Sequence, residues 1–148
     1  MVGARTTATE GQHVGKRYET DVRVRFSDLD ALGHVNNARV LTLLEEARVD
    51  WLWADAVQNG LEGLVNAIVV ARQEIDYLRP ILFGNPVQVD IGVTRIGGAS
   101  FTVDYELHTE GELAVRAVSV LVPINLEVGR PRRLTDVERA YLAQFVAG

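Results

Sequence analysis

An α+β domain, with one long helix held in the concavity of a curved antiparallel sheet, is what the patterning of this chain predicts. Three observations carry that expectation. A helix-start signal at Asn36 opens a long apolar stretch of helical periodicity. Four strand-like segments follow, separated by short turns, which reads as an antiparallel meander. One alternating segment precedes the helix, so that strands bracket it on both sides.

Residues 1–16 are Gly, Thr, Ala and polar without apolar periodicity, and are expected to form a flexible tail; residues 17–148 are expected to form a single domain. Val22, Val24 and Phe26 alternate with Arg23 and Arg25, the mark of a half-exposed strand. Residues 27–37 are polar and contain Gly33, a loop that delivers the Asn36 cap. The helix is expected over roughly 37–57, with Val40, Leu44, Ala47, Trp51 and Ala54 on one face and Leu43 beside them. Leu41, Leu52 and Trp53 broaden the apolar surface, and one of the two tryptophans belongs in the core. Asn59-Gly60 and Gly63 end the helix. Strands are expected over 64–78, stopped by Arg79-Pro80, then over 87–94, 101–108 and 113–124, with turns at 83–86, Gly97-Gly98 and 110–112. Thr135 and Glu138 have capping-box spacing and open a last helix to about residue 146.

Composition narrows the functions available. At 148 residues and a net charge of −5, with no run of basic residues longer than two, the chain suits one domain and offers no groove for a nucleic-acid backbone. The absence of cysteine excludes disulfides, thiolate nucleophiles and thiolate-bound metals. No segment approaches the ~20 apolar residues of a membrane span, and the N-terminus does not read as a signal peptide, so a soluble cytoplasmic protein is expected.

The chemistry is expected between Asp28 and Asn37, where a loop meets a helix N-terminus. Such an end presents unpaired amide protons and a positive partial charge, which favour an oxygen gaining negative charge. Asp30 lies within reach of it. A carboxylate beside an amide donor suits acyl transfer, with the amide polarising a carbonyl while the carboxylate attacks it or activates water. Gly33 lets the backbone turn tightly or a substrate come close. On residue types alone, Asp28 and Asp30 also fit simple turn formers, and Asn36 a simple cap. Asp28, Asp30 and His34 lack a further ligand at a recognised spacing, so no metal is expected.

The segment FSDLDALGHVNNARVLTLLEEAR resembles the signature of hotdog-fold acyl-CoA thioesterases of the 4-hydroxybenzoyl-CoA thioesterase-like group, and QEIDYLRPILFGNPVQVDIGVTRIGGASFTVDYEL is similar to that family's strand-turn-strand pattern. The likeness runs over about residues 18–124. It implies a hotdog fold and acyl-thioester hydrolysis without a separate cofactor, CoA being part of the substrate. Asp30 is then nucleophile or general base, and the Asn37 backbone amide holds the carbonyl oxygen. His34 and Asn36 orient the substrate or water, with Glu46 a secondary candidate. The resemblance also implies a homodimer or homotetramer acting on an acyl-CoA or acyl-carrier-protein thioester.

Two departures matter. Leu32 stands where plant relatives carry Asn, so a mechanism needing that amide does not operate. The loop Gly97-Gly98-Ala99-Ser100-Phe101 lacks the basic cluster that holds the CoA nucleotide in the aromatic-acid enzyme. Arg79, Arg95 and the Arg130–Arg133 segment are the guanidiniums left for phosphate. A non-catalytic acyl-thioester-binding protein is the alternative reading. A hotdog hydratase ranks last, because no His-Asp or His-Glu arrangement is evident.

Overall fold

A computed structural model of the chain describes residues 5–7 and 15–147. Helix α1 (Asn37–Ala56) forms as expected, capped by Asn36 and ended through a 3-10 turn at Gly60, whose φ of 76° is the left-handed region. Its inward face is Val40, Leu43, Leu44, Ala47, Trp51, Leu52 and Ala56, joined by Arg48. Trp51 is the core tryptophan and Trp53 the exposed one; Ala54, expected inside, faces out.

The strands are β1 (Arg5–Thr7), β2 (Arg17–Val22), β3 (Ile68–Tyr77), β4 (Val87–Ile96), β5 (Phe101–Thr109), β6 (Glu112–Asn125) and β7 (Arg130–Pro131). They form one antiparallel sheet in the order β1-β2-β4-β5-β6-β3, with β7 on β6. Alternation does what period-two patterning predicts: Val87, Val89, Ile91 and Val93, then Phe101, Val103, Tyr105 and Leu107, all turn into the core around α1. Register shifts between Val70 and Arg72, between Val93 and Arg95, and at Leu107–His108 mark bulges that curl the sheet around the helix. This is the hotdog arrangement.

Four expectations need correction. The first strand ends at Val22; Phe26–Asp28 is a 3-10 turn and Phe26 is 78% exposed. The Asp28 carboxylate reaches back to the Arg25 N–H at 2.8 Å and draws the chain out of the sheet. Leu64 does not begin a strand: Gly63–Asn66 form a single helical turn, α2, that plugs the end of the core with Leu64. The meander covers β4, β5 and β6 only. β3 lies at the far edge beside β6, because the link between Tyr77 and Val87 is long enough to cross the end of the sheet. The last helix, α3 (Asp136–Ala143), stops short of 146; its Thr135/Glu138 capping box is as expected.

Most of the expected N-terminal tail, residues 1–4 and 8–14, lies outside the described residues. Arg5–Thr7 pairs with Arg17–Glu19, and the Lys16 N–H donates to the Gln144 carbonyl. No helix among the described residues is long and apolar enough to cross a membrane.

Candidate active site

The crossing segment after β3 positions the site. Val115 pairs with Leu107 and Leu113 with His108, which leaves Ala114 as the bulged residue. Its carbonyl accepts the Leu78 and Arg79 N–H groups at 2.8 and 3.1 Å, pinning the segment across the sheet end. The segment in turn holds the Asp30 loop, since the Val35 N–H donates to the Ile81 carbonyl at 2.8 Å and His34 bridges to Leu82.

Within the loop, Asp28 is fully buried. Its carboxylate takes the Arg25 N–H and guanidinium, and its carbonyl takes the Asn36 N–H at 2.9 Å. Between those anchors the chain folds back on itself. The Asp30 N–H donates to the His34 carbonyl, and Gly33 donates to the Asp30 carbonyl. Gly33 has φ +78° and a Cβ there would meet nothing within 4 Å, so backbone conformation and not space calls for glycine. Asp30 Oδ1 accepts the Leu32 and His34 N–H groups at 2.8 and 3.2 Å. Oδ2 has no partner among the described residues.

The start of α1 is just as constrained. Asn36 Oδ1 accepts the Ala38 N–H at 2.9 Å, and the Asn36 carbonyl accepts Arg39 and Val40. That leaves the Asn37 N–H as the first-turn amide without an acceptor among the described residues. Its own carbonyl accepts the Tyr77 hydroxyl at 2.9 Å. A cavity of about 260 Å³ opens here, walled by Asp30, His34, Asn37, Val40, Tyr77 and Ile81. Asp30 and Asn37 thus line one cavity at the positive end of a helix, a place suited to an oxygen gaining negative charge.

The structure therefore brings Asp30, His34 and Asn37 together. Asn36 acts on the backbone as cap, and Gly33 shapes the turn. Arg79 lies on the cavity wall, with its guanidinium paired to Glu112 at 2.8 Å. Arg95 is elsewhere, about 20 Å along β4 from Val89, the residue in line with Leu107 and Val115. Of the Arg130–Arg133 segment, Arg132 is bidentate to buried Glu138 at 2.8 Å, and Arg133 lies against Gly98. No group of three or more His, Asp or Glu side chains among the described residues is arranged to hold a metal.

Glu46 lines a different cavity, about 740 Å³, between the other flank of α1 and β2, together with Asp50 and Trp53. Asp50 accepts the Tyr18 and Thr20 hydroxyls at 2.8 and 2.7 Å. Burial first, and that carboxylate second, push the Tyr18 phenol far above its ordinary value. Tyr77 is the site residue that sequence reasoning missed, since strand periodicity says nothing of which helix end a strand terminus meets.

A family model described as the thioesterase-like superfamily matches residues 24–145. The long-chain acyl-CoA thioesterase FadM of Escherichia coli is 31% identical over 130 residues, spanning 86% of this chain and 98% of that protein. A 1,4-dihydroxy-2-naphthoyl-CoA hydrolase of Gloeothece citriformis is 30% identical, spanning 82% of this chain and 89% of its own. A thioesterase of Thermus thermophilus, solved with coenzyme A and zinc, superposes with a TM-score of 0.74 at 36% identity, covering 92% of this chain and 97% of the other.

Proposed function

Since the chain belongs to the thioesterase-like superfamily, we propose that it hydrolyses an acyl-CoA thioester to a carboxylic acid and free thiol where the Asp30 loop meets α1. The names of its relatives support the substrate class. One observation carries the reading: Asp30 and Asn37, whose N–H has no acceptor among the described residues, line the same cavity at the helix start.

The thioester oxygen accepts the Asn37 N–H, and the negative charge it gains is met by the positive end of α1. Asp30 serves the carbonyl carbon in one of two ways. It attacks directly, expelling the thiolate and leaving a mixed anhydride that water cleaves, or it takes a proton from the attacking water. Either way one water is consumed, the thiolate is protonated and the acid is released. The two N–H donors on Oδ1 hold the carboxylate in orientation while Oδ2 stays available. His34, on the cavity wall, orients substrate or water, and Arg79 is the guanidinium nearest to hand for CoA phosphates.

The active unit is a homodimer. Among the described residues β3 pairs with β6 alone, and it carries exposed Val69, Val70 and Tyr77, with exposed Leu78 just beyond its end. An unpaired ten-residue edge strand is a template for another strand, and a second copy pairs with it antiparallel across a twofold axis.

Thiol release from a panel of acyl-CoAs tests the assignment. Asp30→Asn is expected to lose at least ~10²-fold in rate while still folding and binding acyl-CoA; full activity in that variant refutes the mechanism. Label left in Asp30 after a single turnover in ¹⁸O-water identifies direct attack, with water opening the anhydride at the Asp30 carbonyl carbon. Binding without thiol release points instead to a non-catalytic acyl-thioester-binding protein.

A further inference from the structure

We infer that Tyr77 is a positioning residue of this hydrolysis, holding the first turn of α1 so that the Asn37 N–H stays aimed at the thioester oxygen; the inference rests on the thioesterase reading above. Tyr77 ends β3, and its hydroxyl donates to the Asn37 carbonyl at 2.9 Å across the mouth of the cavity. Because the single hydroxyl proton is committed there, Tyr77 has none to give the substrate and acts through Asn37.

The geometry around Asn37 explains why that bond matters. The N–H and C=O of one residue flank the same Cα, so a small rotation of the residue swings both. On the N-terminal side, the Asn36 carbonyl is fixed by the Arg39 and Val40 N–H groups. On the C-terminal side, the Ala38 N–H is fixed by the Asn36 side chain, and the Asn37 carbonyl, already paired within the helix, also accepts the Tyr77 hydroxyl. Tyr77 is the one of these anchors that comes from outside the helix and its cap, and it ties the helix start to the sheet. An oxyanion donor works only if it is already aimed when charge develops, and misplacement by about 1 Å can cost ~10²-fold in rate.

Tyr77 is 45% exposed, so phenylalanine keeps the ring and loses one hydrogen bond. In the full chain, Tyr77→Phe is expected to lower kcat about three- to ten-fold with KM and thermal midpoint unchanged. Two non-hydrolysable CoA analogues supply a readout that a merely structural role would not move. A difluoroketone analogue, whose activated carbonyl adds a nucleophile and binds as a tetrahedral oxyanion, should bind Tyr77→Phe more weakly than wild type, whereas a thioether lacking the carbonyl should bind both alike. Wild-type kcat in Tyr77→Phe, with Asp30→Asn inactive, overturns the role of Tyr77 and leaves the thioesterase reading standing. Equal weakening of both analogues also overturns it, as damage to the cavity as a whole. Acyl-CoA binding without thiol release by the wild-type chain overturns the reading and this inference together.

Discussion

Asn36 does two jobs with one residue: its side chain fills the Ala38 N–H and its carbonyl takes Arg39 and Val40. The cap thereby leaves Asn37 as the first-turn donor without an acceptor among the described residues. Asn36→Ala is accordingly expected to cost about 1 kcal/mol of stability, read by urea denaturation, since a lost cap typically costs that much. It should also lower kcat by more than the small loss in folded population, because the turn that carries the Asn37 N–H loses its side-chain anchor. Asp28 works at the same scale without touching substrate. Fully buried, it converts the exit of β2 into the turn that carries Asp30.

Among the elements, α3 is locked onto the body through Glu138, which accepts the Thr135 N–H and both guanidinium nitrogens of Arg132. The Arg132 guanidinium passes close over Gly63, where a Cβ would lie 2.7 Å from Nη2. Burial by itself would raise the Glu138 carboxyl, but the Arg132 and Thr135 hydrogen bonds outweigh it and hold the group below the ordinary carboxylate range. A carboxyl lowered in the folded state contributes stability above its unfolded value of about 4.5, and that contribution is lost as pH falls through the lower folded value. Glu138→Gln should therefore be less stable at pH 7 by about 1–3 kcal/mol. Its stability should also fall less steeply below pH 4.5 than that of wild type, as denaturation curves across the acid range will measure. Across the interior strands of the sheet, Arg17 of β2 bridges Asp90 of β4 and Asp104 of β5 over Gly92, where any Cβ would collide with the guanidinium.

For the whole molecule, the open edge of β3 is the decisive feature. Wild type should sediment as a dimer, or as a tetramer of such dimers. Val69 and Val70 are 43% and 42% exposed in the single chain, so the double variant Val69→Lys/Val70→Lys should fold yet shift toward monomer, as charges on an edge oppose strand pairing. Thiol release should fall with it, because Tyr77 and Leu78 continue the same strand into the cavity. A fully active monomer in the ultracentrifuge would remove the dimer from the mechanism.

The family resemblance singled out His34 and the Asn37 amide; local pattern alone determined the long capped helix, the alternating strands β4, β5 and β6, the α3 capping box and the loop-to-helix junction that carries Asp30. Each follows from periodicity, caps and turn residues close to one another along the chain. Tertiary structure decided that β3 sits beside β6 and not β4, that residues 63–66 coil as a core plug, and that Phe26 leaves the sheet. It also decided that Arg79 reaches the cavity while Arg95 does not, and that Tyr77 meets the helix start. Those outcomes depend on which distant segments share a surface, and a hydrophobic period carries the direction a side chain faces but not the partner it finds there.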